Sequence, residues 1–344
     1  MNSYFSTFFT GFDEVVEQAL IKRLKNVKVN LLTDGLIIYK TTSSLNEIKQ
    51  LKFLNNSFSL LKKIDNLTNT PIVNMLEILL EEKNLEALVG KALPKRHLKF
   101  RIRTSVENQF VTIDKNLLKK VEEKIVRAAS NLKVDRAFPD IEFLITVRSE
   151  GFGLIGIKFT HKANYEKVLE KGELYPELTH ILCLISKPKK DDVFWDPFAG
   201  HGSIPIQRVT SFPYKKIIAS DIDQILVNKL QEKVAKIRKE IIVKKMNALN
   251  PECLEANSVD KIVTDPPWGL YKNTDLNLST FYFQMLEVFC RIVKPNGLIV
   301  ILTAQKELIK TQLSEFKSQL KLVNKYNTLV SGKKAGVYKI KQIN

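Results

Sequence analysis

Residues 193–203 read Val-Phe-Trp-Asp-Pro-Phe-Ala-Gly-His-Gly-Ser, and this stretch decides the fold of the C-terminal half of the chain. An apolar run enters a turn with two glycines, and the residues that follow have the pattern of a helix. The order predicts a buried strand, a tight turn and a helix start, as at the switch point of a doubly wound sheet. The turn alone does not decide the function, because similar turns occur in α/β proteins where they bind nothing.

Strand and helix patterns alternate from residue 193 to the end of the chain, which predicts an α/β fold with a parallel, doubly wound sheet. The turn at 331–334 predicts that the last two strands form a terminal hairpin. The predicted strands span 193–196, 216–221, 241–246, 261–265, 298–303, 321–330 and 336–341, and the predicted helices span 203–209, 223–239, 279–292 and 305–320.

A second motif, Asp265-Pro266-Pro267-Trp268, closes the apolar strand that begins at residue 261. A glycine turn followed at this distance by Asp-Pro-Pro-aromatic resembles the S-adenosylmethionine-dependent amino-methyltransferases, which modify exocyclic NH₂ groups of nucleobases. The resemblance covers roughly the C-terminal half. It implies a class I, Rossmann-like methyltransferase domain whose seven-stranded sheet ends in a hairpin.

The resemblance assigns the catalytic role to Asp265, Pro266, Pro267 and Trp268. An exocyclic amino nitrogen is a poor nucleophile, because its lone pair is delocalised into the ring. Asp265 Oδ and the Pro266 carbonyl can accept its two N–H bonds and aim the lone pair at the methyl group, while the prolines fix the backbone. Trp268 can stack on a base that has left its helix. The alternative is a structural turn with a surface tryptophan.

The resemblance also implies a site for S-adenosylmethionine (SAM) at the carboxyl ends of the first strands. Asp196 would lie beside the methionine amino group, and Asp221 would accept both ribose hydroxyls, with Asp223 as the alternative. Asn247 stands where the family usually has an acidic residue that meets the adenine amino group. His201 is assigned no role. The predicted cofactor-binding residues are Asp196, Phe198, Gly200, Gly202, Ser203, Asp221 and Asn247.

The N-terminal half predicts two α+β modules. Residues 1–65 follow the order βαββαβ, which indicates a ferredoxin-like module, with a hairpin turn at 33–35 and a helix from Ser44 to Leu54. A helix is predicted at 71–88. Residues 66–165 then resemble a THUMP domain, the tRNA-binding module of several RNA-modifying enzymes, through the segments 100–103, 134–139 and 150–153. Residues 166–190 are predicted to form a linker helix, which in the resembling family packs across the cofactor pocket, with a plain domain linker as the alternative. The methyltransferase domain is predicted to span 191–344.

The formal net charge of +17 favours polyanionic partners, although a Lys- and Asn-rich proteome would also make an ordinary enzyme basic. A basic strand and the basic side of a helix lie close together in the THUMP-like segment, which predicts a phosphate-binding surface. The predicted RNA-binding residues are Lys95, Arg96, Lys99, Arg101, Arg103, Lys120, Lys124 and Arg127.

The remaining composition predicts a protein of the reducing cytoplasm. No apolar run approaches membrane-spanning length, and the N-terminus lacks the pattern of a signal peptide. The three cysteines are widely spaced, which predicts neither a disulfide framework nor a zinc cluster, and the chemistry requires no metal.

The paired resemblances imply a SAM-dependent methyltransferase that acts on the N2 amino group of a guanosine in tRNA, of the position 6 or 10 type. One alternative is a DNA adenine or cytosine amino-methyltransferase, against which the THUMP-like N-terminus argues. Another is a non-catalytic RNA-binding protein with a methyltransferase-like fold, against which the intact Asp265–Trp268 motif argues. The number of methyl groups transferred and the oligomeric state stay open.

Overall fold

The computed structural model describes residues 1–67, 71–94, 96–160, 169–170, 172–269 and 277–343. These residues form two compact units. The first contains the described residues of 1–7 and 20–163, and the second contains those of 8–19 and 164–344. The division runs through the first helix, whose residues up to 19 cluster with the C-terminal part of the chain.

The N-terminal elements alternate between strands and helices. In chain order they are β1 (Asn2–Thr7), α1 (Asp13–Arg23), β2 (Lys28–Thr33), β3 (Leu36–Thr41), α2 (Leu45–Lys49), β4 (Asn56–Ile64), α3 (Pro71–Glu81), α4 (Leu85–Ala92), β5 (Leu98–Val106), β6 (Gln109–Phe110), α5 (Lys115–Ala128), β7 (Leu132–Val134), β8 (Ile141–Val147) and β9 (Gly153–Lys158).

One nine-stranded sheet runs through the first unit. Its order is β2-β3-β1-β4-β9-β8-β5-β6, and β7 pairs with β5. The first four strands are antiparallel to their neighbours, whereas β5 and β8 are parallel. Because β4 pairs with β9, the strands of the first 65 residues and those that follow share a single sheet.

The two faces of this sheet carry different cores. Helices α3, α4 and α5 cover one face, where Val121 and Ile125 of α5 pack with Phe100 and Phe143. On the opposite face Phe5 and its neighbours form a second, smaller cluster. Since side chains alternate along a strand, the odd-numbered residues of β5 that flank Phe100 point to the face opposite the helices.

Three predicted helices differ most from the observed ones. The helix predicted at 71–88 is two helices, because the polar segment after Glu81 interrupts it and the Asn84 N–H bonds to the Glu82 carboxylate. The helix after Ser44 has the expected capping box, but it ends at Lys49, where the Gln50 N–H bonds back to two carbonyls. The helix predicted at 305–320 ends at Glu315, because Leu320 already belongs to the next strand.

The C-terminal elements form the second unit. They are α6 (Pro176–Ile185), β10 (Val193–Asp196), α7 (Ser203–Ser211), β11 (Lys216–Asp221), α8 (Gln224–Ile237), β12 (Ile242–Lys245), β13 (Val259–Thr264), α9 (Leu278–Ile292), β14 (Val293–Thr303), α10 (Lys306–Glu315), β15 (Leu320–Val330) and β16 (Lys333–Gln342).

The second unit contains a sheet of order β12-β11-β10-β13-β14-β16-β15. The first five strands are parallel, and β16 lies antiparallel between β14 and β15. Trp195, Ile262, Phe289 and Ile299 are fully buried in its core. The carboxyl ends of β10, β11 and β13 therefore meet at one edge of the sheet. Among the described helices, none is long and apolar enough to cross a membrane.

Candidate active site

The turn after β10 contains two glycines that differ in what surrounds them. Gly200 and Gly202 both have positive φ, 49° and 85°. A Cβ on Gly202 would collide with the Leu230 side chain, so this glycine allows α7 to pack against α8. A Cβ on Gly200 would meet nothing within 4 Å. Gly200 thus leaves open space beside its backbone. This space, between Gly200 and the first turn of α7, is the glycine cradle.

Asp196 lies at the base of this cradle and is almost fully buried, with 1% of its surface exposed. Its Oδ1 accepts hydrogen bonds from Thr264 Oγ1 at 2.8 Å and from the Phe198 N–H at 3.2 Å. Its Oδ2 has no hydrogen-bond partner among the described residues. Burial, assisted by the nearby Asp221 and Asp265 and opposed by these two hydrogen bonds, raises the pKa of Asp196 to about 8. A buried oxygen without a partner at an open cradle fits a cationic ligand group, such as the ammonium of SAM.

Asp221 joins the loop after β11 to the glycine turn. Its Oδ2 accepts from the Gly200 N–H at 2.8 Å, and its Oδ1 accepts from the Asp223 N–H at 3.0 Å. Each carboxylate oxygen has a further lone pair, so the group can still accept hydroxyl donors. Asp223, the alternative, caps α8, because its side chain accepts from the Ile225 N–H.

Two neighbouring side chains border the same edge. Asn247 Oδ1 accepts from the Leu249 N–H at 3.0 Å, so the amide shapes the turn after β12. Ile222 is 65% exposed between the two aspartates. Sequence reasoning missed Ile222, for which the only signal is an apolar residue at the end of a predicted strand.

Helix α6 packs within the second unit beside the glycine turn. The Leu174 N–H donates to Ser203 Oγ at 3.3 Å, and Gln207 of α7 contacts His180 Nδ1 at 2.7 Å. Most of α6 is buried. The segment before α6 is thereby bonded to Ser203, the first residue of α7.

Phe198 of the glycine turn packs on Phe281 of α9, with ring centroids 5.6 Å apart.

The Asp265–Trp268 turn follows β13 and lies next to Asp196. Thr264, the last residue of β13, makes the 2.8 Å bond to Asp196. Asp265 Oδ1 accepts from Trp268 Nε1 at 2.8 Å. Burial raises the pKa of Asp265 to about 7, and the bond from the indole opposes this shift. The structure therefore brings the carboxylates of Asp196, Asp221 and Asp265 together at one edge, as their places after parallel strands predict.

The residues after the turn are held by side chains that sequence reasoning missed. Tyr282 of α9 donates to the Pro267 carbonyl at 3.1 Å, and Gln305 Nε2 donates to the Trp268 carbonyl at 2.6 Å. Both residues are polar positions inside ordinary helix and loop patterns, so no local signal marks them.

The predicted RNA-binding residues of the first unit lie in two groups. On β5, Arg101 and Arg103 both bond to Glu142, at 2.8 and 2.9 Å, on the face opposite the helices. Lys99 pairs with Asp135 at 3.0 Å. Arg96 is exposed, and Lys95 lies outside the described residues.

The second group lies on α5. This helix covers the other face of the sheet through Val121 and Ile125, so Lys120, Lys124 and Arg127 are not brought together with the arginines of β5. An exposed aromatic residue lies with the strand group instead. The Arg103 guanidinium lies 4.7 Å from the ring centroid of Phe110, which is 67% exposed.

The second unit has the mixed α/β fold of class I methyltransferases. Its doubly wound sheet ends in an antiparallel hairpin, a glycine turn follows its first strand, and an Asp-Pro-Pro-Trp turn follows its fourth. Residues 163–334, half of the chain, match the model of the family described as UPF0020: RMKL-like, methyltransferase domain. The chain belongs to this family.

Curated relatives and a solved structure extend this comparison. The chain is 26% identical over 215 residues to the tRNA (guanine(10)-N2)-dimethyltransferase of Methanocaldococcus jannaschii, covering 57% of this chain and 58% of that protein. It is 24% identical over 225 residues to the tRNA (guanine(6)-N2)-methyltransferase of Thermus thermophilus, covering 62% and 64%. The matches thus span less than two thirds of each relative.

The solved structure is similar over the whole length. The crystal structure of TrmN from Thermus thermophilus superposes with a TM-score of 0.78, covers 100% of both chains and is 18% identical. At this identity the similarity establishes a shared fold.

Proposed function

We propose that the protein is a SAM-dependent methyltransferase that modifies the exocyclic N2 amino group of a guanosine in tRNA, of the position 6 or 10 type. The observation that carries the proposal is the junction of β10 and β13. There Asp196 Oδ2, for which the described residues supply no partner, lies beside the glycine cradle, and Thr264 links Asp196 to the residue that begins the Asp265–Trp268 turn. The two curated relatives, both named as tRNA guanine-N2 enzymes, support guanine in tRNA as the target.

The residues at the cradle would hold SAM. Asp196 Oδ2 would accept from its ammonium group, the carboxylate of Asp221 would accept from its ribose hydroxyls, and Ile222 and Asn247 would border its adenine. The turn through Gly200 and Gly202 would admit it close to the backbone, next to Ser203 at the start of α7. When bound, SAM supplies a methyl group made electrophilic by the sulfonium.

The residues of the Asp265–Trp268 turn would bind and orient the target base. Asp265 Oδ and the Pro266 carbonyl would each accept one N–H of the amino group, which directs the nitrogen lone pair away from the turn. Trp268 would stack on the base, a contact that contributes roughly 1–3 kcal/mol per base in other proteins. Catalysis by these residues rests on orientation and electrostatics.

The N-terminal residues would bind the tRNA. In this proposal residues 1–65 are a ferredoxin-like module, which the antiparallel order β2-β3-β1-β4 supports, and 66–165 are a THUMP-like module. Residues 166–190 link them to the methyltransferase domain at 191–344. Arg101, Arg103 and the exposed Phe110 on one face of the sheet suit a phosphate backbone with unstacked bases.

Transfer of labelled methyl groups from SAM to tRNA tests the proposal. We expect N2-methylguanosine on nucleoside analysis of wild-type reactions, and no product with Asp265→Ala. SAM and tRNA affinity of this variant should stay near wild type, because the carboxylate acts on the amino group mainly near the transition state. Methylated adenine or cytosine in a DNA substrate, with unmodified tRNA, would support the DNA alternative. Full turnover by Asp265→Ala would exclude the proposed role of this turn.

A further inference from the structure

The carbonyl groups of the Asp265–Trp268 turn differ in whether the protein holds them. Tyr282 Oη donates to the Pro267 carbonyl at 3.1 Å, and Gln305 Nε2 donates to the Trp268 carbonyl at 2.6 Å. Within the described part of the chain, no backbone N–H donates to the carbonyl of Pro266, which precedes them. The turn is thus anchored immediately after the one carbonyl that the proposed reaction needs as an acceptor.

The anchoring hydrogen bonds form a chain with a single possible direction. The Gln305 backbone N–H can only donate, and it bonds to Thr303 Oγ1 at 3.0 Å. Thr303 Oγ1 lies 2.7 Å from Tyr282 Oη. The Tyr282 hydroxyl has one hydrogen, and the Pro267 carbonyl can only accept it. Thr303 therefore donates to Tyr282, and Tyr282 donates to Pro267.

Three separate elements contribute to this chain. Tyr282 lies on α9, Thr303 ends β14, and Gln305 immediately precedes α10. Tyr282 and Thr303 are fully buried. Burial raises the pKa of the Tyr282 phenol, so that it stays a hydrogen-bond donor throughout the working pH range. Gln305 acts twice, since its backbone begins the chain and its side chain holds the Trp268 carbonyl.

We propose that Tyr282, Thr303 and Gln305 are positioning residues that hold the Asp265–Trp268 turn in the conformation where its acceptors meet the target amino group. This inference rests on the proposed function. The three residues lie outside the Asp265–Trp268 motif that they hold in place. Its physical basis is that two well-placed acceptors orient a nitrogen only if the backbone between them does not rotate. Small displacements of such groups cost large factors in rate.

Kinetics of three near-isosteric variants test the proposal. Tyr282→Phe, Thr303→Val and Gln305→Met each remove hydrogen bonds and keep the shape of the side chain. We expect each to lower kcat for tRNA methylation roughly 5- to 30-fold, the factor for one or two lost bonds. The Kd for SAM should stay within about twofold of wild type, because none of the three contacts the cradle.

Two matched controls separate positioning from general stability. Tyr39 is an equally buried tyrosine of the first unit whose hydroxyl bonds to Ser6. Gln312 lies further along α10 and donates to Ser279 of α9 at 3.0 Å. Tyr39→Phe and Gln312→Met should lose stability comparable to that of the test variants and keep wild-type kcat.

Tryptophan fluorescence tests the same proposal without any substrate. The chain has two tryptophans, and Trp195 is buried in the core, so the difference from a Trp268→Phe protein isolates Trp268. Loosening of the turn in Gln305→Met and Tyr282→Phe should increase acrylamide quenching of Trp268. Gln305 is only half-buried, so its variant is expected to fold.

The kinetics and the fluorescence together distinguish a wrong proposed function from a wrong positioning role. A wild-type protein that methylates no tRNA would overturn the proposed function, and unchanged Trp268 quenching in the variants would then overturn the positioning role as well. With an active wild type, the positioning role is overturned if the three variants keep wild-type kcat, or if the controls lose as much kcat as the variants do.

Discussion

At the scale of single residues, the site is defined by carboxylates whose surroundings differ. Asp196, Asp221 and Asp265 could be predicted from the sequence, because each follows an apolar run and the ends of parallel strands meet. Tyr282, Thr303 and Gln305 could not. Their contacts depend on how α9, the end of β14 and the start of α10 pack, and a polar residue in such a pattern has no signature of the turn that it supports.

Asp196 should release a proton when SAM binds. Its pKa of about 8 leaves it mostly protonated at pH 7, and a bound ammonium favours the ionised form. Calorimetry at pH 7 should therefore show a binding enthalpy that varies with the ionisation enthalpy of the buffer, with close to one proton released. At pH 9 this release should largely disappear, because the carboxyl is then mostly ionised before binding, and the remaining buffer dependence reports proton uptake by the amino group of SAM.

Variants assign this proton to Asp196. Asp196→Asn should bind SAM roughly 1–3 kcal/mol more weakly and show no dependence on the buffer. Asp221→Asn should also weaken binding but keep most of the proton release, since burial is the largest cause of the raised pKa of Asp196 and the Asp221 charge only adds to it. A buffer-independent enthalpy for the wild-type protein at pH 7 contradicts the prediction.

The acid limb of the pH–rate profile should report Asp265. The carboxylate must be ionised to accept from the amino group, so kcat falls as the pH falls through its pKa. That pKa is about 7 without ligands, and a bound cation moves it lower. Trp268→Phe removes the indole hydrogen bond that lowers the pKa, so the acid limb should move to higher pH.

Measurement of kcat against pH at saturating SAM and tRNA checks this shift. Asp265→Asn, which cannot titrate, should lose the acid limb together with most of its activity. A Trp268→Phe profile that keeps the wild-type acid limb, or moves it to lower pH, would show that the indole does not tune this carboxyl.

At the scale of elements, the sequence does not predict which strands pair when they lie far apart along the chain. Element types follow from local patterns, and the strand boundaries at β10 and β11 agree with the observed ones. The pairing of β4 with β9 joins residues about a hundred positions apart, exemplified by the bond from the Ser57 N–H to Thr160 Oγ1. No local pattern encodes such a partner. The same holds for the two basic groups, because the arginines of β5 point to one face of the sheet and α5 covers the other.

This placement makes separate predictions for the two basic groups. The double variant Arg101→Gln, Arg103→Gln should flatten the slope of log tRNA affinity against log salt concentration by about one unit. Each lost phosphate contact changes this slope by roughly one unit, and Glu142 already neutralises one of the two arginines. Lys120→Gln, Lys124→Gln and Arg127→Gln together should leave the slope near wild type, because their helix lies on the other face.

Binding measured over a range of salt concentrations distinguishes the two groups. The reason for favouring the strand group is the exposed Phe110 of β6, which lies under Arg103 and offers a ring for stacking, whereas α5 contains no aromatic residue. A flatter slope in the helix variant and an unchanged slope in the strand variant would move the RNA surface to α5.

At the scale of the whole molecule, one segment near the N-terminus clusters in space with the C-terminal unit. Residues 8–19 cluster with the C-terminal unit, where the Phe12 and Tyr326 rings lie 5.7 Å apart and Phe9 lies 5.8 Å from Tyr175. The sequence did not predict this grouping, since the segment reads as part of a βαββαβ pattern. Its aromatic residues pack on side chains more than 160 positions away.

Gly11 provides a test of this packing. Its φ is +84°, and a Cβ there would overlap the Asn327 carbonyl oxygen of β15. Gly332, in the β15–β16 turn, has a similar φ of +78°, but a Cβ there would meet nothing within 4 Å. Both glycines impose a comparable backbone strain on alanine, roughly 1–2 kcal/mol, and only Gly11 adds a collision with backbone.

Gly11→Ala should therefore destabilise the protein by about 3 kcal/mol, clearly more than Gly332→Ala. Thermal unfolding with and without SAM measures the difference and shows which unit is affected. If the segment packs on the C-terminal unit, the transition that SAM stabilises is the one that Gly11→Ala lowers, since a ligand stabilises only the unit that binds it. Equal losses in the two variants would show that residue 11 does not contact β15 in solution.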